Sequence, residues 1–269
     1  ALNDTITIND SVLGGGGGAN FTCDVSEIAA GNTQTQNDAL PDGDATAVTT
    51  LTGDITEMTN VYTATGAENV ITGLGSENVV LSGTPTVDNI NDRDQYTTGS
   101  IKATLATGSL AVLSAIQESG NELALTVNDA TLNAAALNNL IAKTTGVVTL
   151  SGAGGAPAIT GFTSDIAKIY DTNTQVTGLG NETVTLSDTG TILASELNTI
   201  NAGTSVAVVA TNVAGLSGTA DEVNTTYTGG FITGLGTETV TITGATSAAA
   251  TITNINGATT GLVTVNSTS

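Results

Sequence analysis

One phrase stands three times in this chain: ITGLGSENVVL from Ile71, VTGLGNETVTL from Val176 and ITGLGTETVTI from Ile232. Its leucines, Leu74, Leu179 and Leu235, are 105 and 56 residues apart. A second phrase, helix-like, begins at Val87 (VDNI), Leu137 (LNNL), Leu197 (LNTI) and Ile252 (ITNI), at intervals of 50, 60 and 55 residues. A third is glycine followed nine residues later by tyrosine: Gly53 to Tyr62, Gly161 to Tyr170 and Gly218 to Tyr227, at intervals of 108 and 57. All three agree on a unit of roughly 55 residues, a period that marks repeat architectures. Around residues 100–125 both the Gly-to-Tyr and the Gly-Leu-Gly phrases are missing, and the array is degenerate there.

The unit from Val184 reads as strand, short helix, strand, short helix, strand. VTL alternates apolar and polar, as a half-buried strand does. SDTGT is turn chemistry. ILASELNTIN sets Leu193, Leu197 and Ile200 at helical spacing, the stripe of a short amphipathic helix. Thr219 and Glu222 have the spacing of a capping box. Helices this short are marginal in water by themselves, so each must bury its stripe against the next copy, as in solenoids. The expected fold is a β-rich solenoid with short helices, in α/β-type coils of about 28 residues, two to a repeat. The alternative is a string of small β-sandwich domains. Those need about 100 residues each and commonly a large buried aromatic. Residues 51–269 form the expected repeat region, which the abrupt end GLVTVNSTS suggests is cut from a longer array. Residues 1–50, with LGGGGGAN, form an irregular N-terminal cap or a decorated first coil.

Composition fits a thin, regular core: 39% of residues are hydrophobic but only 3% aromatic, and there is no Trp. The chain holds 25 Asp and Glu against 4 Lys and Arg, a net charge of -21. Such a surface repels phosphate backbones, which argues against nucleic-acid binding. It also repels itself unless salt screens it, which suggests saline surroundings. The single cysteine, Cys23, rules out an intrachain disulfide, and no base stands near it to activate the thiol. No apolar run is long enough for a transmembrane segment.

Little here suggests catalysis. There is no histidine, the commonest general base. Glu77, Glu182 and Glu238 recur at one position, which makes a ladder of carboxylates and not an acid–base pair. We therefore expect no enzyme and assign no catalytic, cofactor-binding or metal site. The Gly-Leu-Gly phrase resembles part of a phosphate loop but lacks the third glycine and the following helix. It reads instead as a corner: glycines turn the chain, leucine fills the core, glutamate faces solvent, and valine re-enters the stack. Calcium is the one cofactor considered, because Asp10, Asp129 and Asp188 end strand-like runs and oxygen-rich turns can ligate it. The repeat and EF-hand signatures of such sites are absent, and Asp favours turns for local reasons. Threonine-rich strands such as TVTIT raise the possibility of a water-ordering face, without a strict Thr-X-Thr repeat to support it. Sequons occur at Asn20, Asn181 and Asn224.

LASELNTINAGTSVAVVA, LSGTADEVNTTY and ITGLGTETVTI resemble the degenerate tandem repeats of very large surface proteins of marine cyanobacteria. They are similar also to repeats in fibre-like structural proteins of the phages that infect those cells. The resemblance implies an exposed, non-enzymatic role. The resulting expectation is an extracellular structural protein, at a cell or virion surface, that forms part of a filament, adhesin or phage fibre. Its expected partners are other copies, end to end or in an array, and cell-surface or glycan groups. The alternative is a calcium- or glycan-binding surface module.

Overall fold

The computed structural model describes residues 22–24, 49–63, 73–152, 155–171, 175–244 and 248–267. Most of the expected cap over residues 1–50, including Asp10 and Asn20, lies outside the described residues. The chain forms an α/β fold of parallel strands and short helices, with no closed barrel among the described residues. It divides into two compact units.

The first unit comprises Ala1–Ala106, Ala115–Leu125 and Lys143–Gly146. Strands β1 (Thr22–Asp24), β2 (Thr50–Gly53), β3 (Asn78–Leu81), β4 (Ile101–Thr104) and the start of β5 (Glu122–Val127) pair in that order, every pair parallel. Helices α1 (Ile55–Thr63) and α2 (Val87–Asp94) follow β2 and β3. Strand residues Leu51, Val79, Ile101 and Leu123 are buried, as are Met58 and Ile90 of the helices.

The second unit comprises Thr107–Ser114, Thr126–Ala142 and Val147–Ser269. Its helices are α3 (Leu110–Leu113), α4 (Ala134–Ile141), α5 (Thr163–Tyr170), α6 (Ala194–Gly203), α7 (Ala220–Thr228) and α8 (Ala249–Ala258). One sheet joins β6 (Thr131–Asn133), β8 (Ala158–Gly161), β10 (Val184–Leu186), β12 (Val208–Val209) and β14 (Ile232–Thr233). Another joins β11 (Thr191–Leu193), β13 (Gly215–Gly218), β15 (Thr239–Gly244) and β16 (Val263–Ser267). Strands β7 (Val148–Leu150) and β9 (Val176–Thr177) pair with each other.

The registers explain the sequence period. Thr191 pairs with Gly215 and Gly215 with Thr239; Val184 pairs with Val208 and Val208 with Ile232. Each strand bonds to the strand one pass of the chain away, so equivalent residues stack in rows on one face. This parallel pairing excludes the β-sandwich alternative, whose sheets are antiparallel. It also suits short strands: both neighbours cover each one, and the buried rows are Val, Leu and Ile.

Local signals set the helix starts. The box of Thr219 and Glu222 forms as the sequence indicates: Glu222 N–H donates to Thr219 Oγ1 at 3.3 Å, and Thr219 N–H to Glu222 Oε2 at 2.8 Å. Asp54 with Glu57 and Thr86 with Asn89 cap α1 and α2 in the same way. One expected stripe is corrected. Leu193 ends β11, whose buried residue is Ile192, so Leu193 points outward and is 49% exposed. The buried face of α6 is Ala194, Leu197 and Ile200.

Adjacent passes touch closely at glycine. A Cβ on Gly146 would strike the backbone carbonyl of Leu123, whereas one on Gly190 would meet nothing within 4 Å. Gly146→Ala is therefore expected to cost about 1–3 kcal/mol, the usual range for overpacking, while Gly190→Ala stays near neutral. Urea denaturation of the two variants checks this, and equal effects would contradict the close-contact account.

Candidate functional site

The repeated phrase builds the same corner each time. In Gly-Leu-Gly-X-Glu both glycines have positive φ: 83° and 128° at Gly73 and Gly75, 87° and 122° at Gly178 and Gly180, 90° and 126° at Gly234 and Gly236. Side chains are strained there and glycine is not. The turn aims consecutive backbone N–H groups into the corner, a concavity that suits an anion.

The anion is the protein's own glutamate. Gly75 and Ser76 N–H donate to Glu77 Oε2 at 2.7 and 3.0 Å. Gly180 and Asn181 do the same for Glu182 at 2.7 and 3.1 Å, and Gly236 and Thr237 for Glu238 at 2.6 and 3.0 Å. The other oxygen, Oε1, accepts the phenol of Tyr62, Tyr170 or Tyr227 respectively. These are the tyrosines of the Gly-to-Tyr phrase, each in the helix before the corner.

The next pass locks the corner from its other side. Thr97 Oγ1 donates to the carbonyl of Glu77 at 2.5 Å, and Thr98 N–H to that of Gly75 at 2.9 Å. Thr204 and Thr259 donate to the carbonyls of Glu182 and Glu238, both at 2.8 Å. Ser205 and Thr260 N–H reach the carbonyls of Gly180 and Gly236, also at 2.8 Å. Each joint thus binds three segments of chain.

Two expectations for this phrase are overturned. The glutamates do not face solvent: Glu77, Glu182 and Glu238 are 1%, 0% and 2% exposed. The cause is the unpaired N–H groups of the glycine turn, which need an acceptor that the reach of a glutamate supplies. Nor do the leucines fill the core; Leu74, Leu179 and Leu235 are half-buried. In each case the buried side chain of the phrase is the acid.

The degenerate stretch keeps the joint with other residues. Asn121, 3% exposed, stands at the corner. Its Oδ1 accepts Ile101 N–H at 2.7 Å, and its Nδ2 donates to both oxygens of Asp94 at 2.9 and 3.2 Å. Thr145 N–H donates to its carbonyl at 2.8 Å, as Ser205 does to Gly180. Burial raises the Asp94 carboxyl above its ordinary value, against the amide of Asn121 and with help from the charge of Glu118.

One joint carries an extra clamp. Arg93 is 4% exposed, with its guanidinium carbon 5.6 Å from the ring centre of Tyr62 and 4.9 Å from that of Tyr96. The two rings stack at 5.3 Å. Nε and Nη1 of Arg93 make no hydrogen bond, so its contacts here are to ring faces, which attract a cation.

Chemically the corner is closed. Both carboxylate oxygens of each glutamate are engaged by donors, which suits holding and not proton transfer. Asp129 and Asp188, the strand-end acids considered for calcium, each accept the first N–H of a helix in the preceding pass. Asp129 Oδ2 takes Leu110 N–H at 2.5 Å, and Asp188 Oδ2 takes both Thr163 N–H and Thr163 Oγ1 at 2.8 Å. The second contact replaces a cap that Phe162 cannot supply. No three of His, Cys, Asp and Glu gather around a metal-sized space among the described residues. Among the sequons, Asn181 is exposed and Asn224 half-buried in α7. The hydroxyl row through Thr191 and Thr239 is broken by Gly215 between them.

The phenols report on the joint. Burial, the hydrogen bond to glutamate and the glutamate charge, in that order, push all three tyrosines above the ordinary 10.0. The folded state therefore favours neutral phenol. That stability is complete below the ordinary value and is lost as the pH rises through the raised ones. The melting temperature should fall as the pH climbs past about 10, and less steeply when Tyr62, Tyr170 and Tyr227 are all phenylalanine. At neutral pH, Tyr170→Phe is expected to cost about 1.5–3 kcal/mol, as for bonds to charged groups. An unchanged urea midpoint would contradict the joint.

No family model, curated protein or solved structure matches this chain.

Proposed function

We propose that this chain is a non-enzymatic structural segment, a solenoid whose coils stack into a stiff repetitive rod in an extracellular filament, adhesin or fibre at a cell or virion surface. The observation that carries the reading is the joint. The same Tyr–Glu–Gly–Thr arrangement recurs at Glu77, Glu182 and Glu238, and its function is to lock one pass of chain onto the next. Parallel registers that repeat with the sequence period support it, as does the resemblance to repeats of large surface proteins and phage fibres. The acidic surface, with few bases, suits an exposed protein in salt water. The calcium- or glycan-binding alternative draws no support from Asp129 and Asp188, whose carboxylates are engaged at helix starts.

A solenoid lengthens by one strand spacing per coil. Duplicating Gly178–Thr233, one corner to the next, should add two coils and about 10 Å to the longest dimension in solution scattering. A particle that widens without lengthening would overturn the rod. Calcium should leave the melting temperature of the parent chain unchanged; a rise that saturates with calcium would favour the binding module instead.

A further inference from the structure

Strand β16 is the edge of its sheet, bonded on one side only to β15. Val263 and Val265 pair with Val240 and Ile242 and share their face. Val240 and Ile242 are each 1% exposed, whereas Val265 is 51% exposed and Val263 half-exposed. Leu262, just before the strand, is 71% exposed. Helix α8 shows the same opening: Ile255 is sealed, but Ile252, at the place Leu197 holds in α6, is only half-buried.

Charge says what can approach this face. From Thr239 to Ser269 there is no Asp, Glu, Lys or Arg, the longest uncharged run in a chain of net charge -21. Free edges in natural proteins usually carry charge or proline to prevent pairing; β16 carries neither. A cationic partner would find nothing here to attract it, whereas another copy of this acidic chain would meet its least repulsive surface.

We propose that β16 and α8 form a self-association face on which a second copy of this chain docks, the two β16 strands pairing antiparallel about a two-fold axis. A face that meets itself closes at two molecules. Strand addition supplies the backbone bonds that the edge lacks, and Val263, Val265 and Ile252 supply the apolar contact. Salt strengthens the dimer, because it screens the acidic bodies while the contact itself is uncharged.

Sedimentation equilibrium of the whole chain, up to millimolar protein and over a range of salt, tests this. The expected result is a monomer–dimer equilibrium that shifts at least tenfold toward dimer between low and high salt. Val265→Lys and Leu262→Glu should each yield monomer, with the circular dichroism and melting temperature of the parent at low concentration showing that the fold persists. A chain that stays monomeric in high salt overturns the proposal, as does a variant that dimerises like the parent. Open-ended polymers would show a head-to-tail contact and overturn the two-fold arrangement. The proposal is independent of the rod reading, since a dimer can form or fail whatever duplication does to the length.

Discussion

A carboxylate buried in a turn of backbone N–H groups is the contact on which the rest of this structure depends. Removing a charge from water costs several kcal/mol unless donors replace the lost solvation. Here they come from two successive residues of the turn and from a tyrosine in the preceding helix, while the next pass takes up the carbonyl of the same glutamate. Residue type is constrained throughout. Glutamate reaches back to the N–H groups one and two residues before it and still leaves Oε1 for the phenol. A glutamine in its place would present an amide to one of those donors. Positive φ at Gly75, Gly180 and Gly236 is what points the N–H groups inward. No part is dispensable, because losing any one leaves the others buried without partners.

Such joints let short elements persist. Strands of two to six residues and helices of four to ten could not hold individually. Polar links between successive helices add to the apolar rows. Asn138 Nδ2 donates to the Asp165 carbonyl at 2.8 Å, and Asn198 Nδ2 to the Glu222 carbonyl at 2.9 Å. Asp129 and Asp188 cap the helices of the pass before their own. Cooperation between neighbouring passes therefore resides in hydrogen bonds as much as in aliphatic packing, which suits a core almost without aromatics.

The period, the short helices and the Thr219–Glu222 box were legible in the sequence, because repetition, apolar spacing and capping chemistry are local patterns. The role of the glutamate was not. Between a turn and an alternating strand, an acid reads as a solvent-facing residue by every local rule. What contradicts that reading is a correlation: the Gly-to-Tyr and Gly-Leu-Gly phrases vanish together around residues 100–125. Two phrases lost together are two halves of one contact, and the structure joins Tyr170 to Glu182 and Tyr227 to Glu238. The Thr97, Thr204 and Thr259 contacts left no comparable trace, because threonine is common throughout this chain.

The same chemistry explains how 25 acids coexist with four bases. The bases do little to neutralise the surface. Lys102 meets Glu122 at 2.6 Å in an exposed pair, Lys143 donates to the Gln117 carbonyl at 2.6 Å, Lys168 lies 3.8 Å from Asp165, and Arg93 is held between rings. Exposed ion pairs of this kind contribute little. Backbone dipoles take the place of counter-charges. Glu57, Asp88, Asp165, Glu196, Asp221 and Glu222 lie in first turns of helices, where the N–H groups stabilise negative charge. Glu77, Glu182 and Glu238 occupy N–H-lined corners, and Asp129 and Asp188 sit on helix N–H groups of a neighbouring pass. An acidic chain of this kind is held together by its own amides, and each added repeat brings the donors for the acids that it adds.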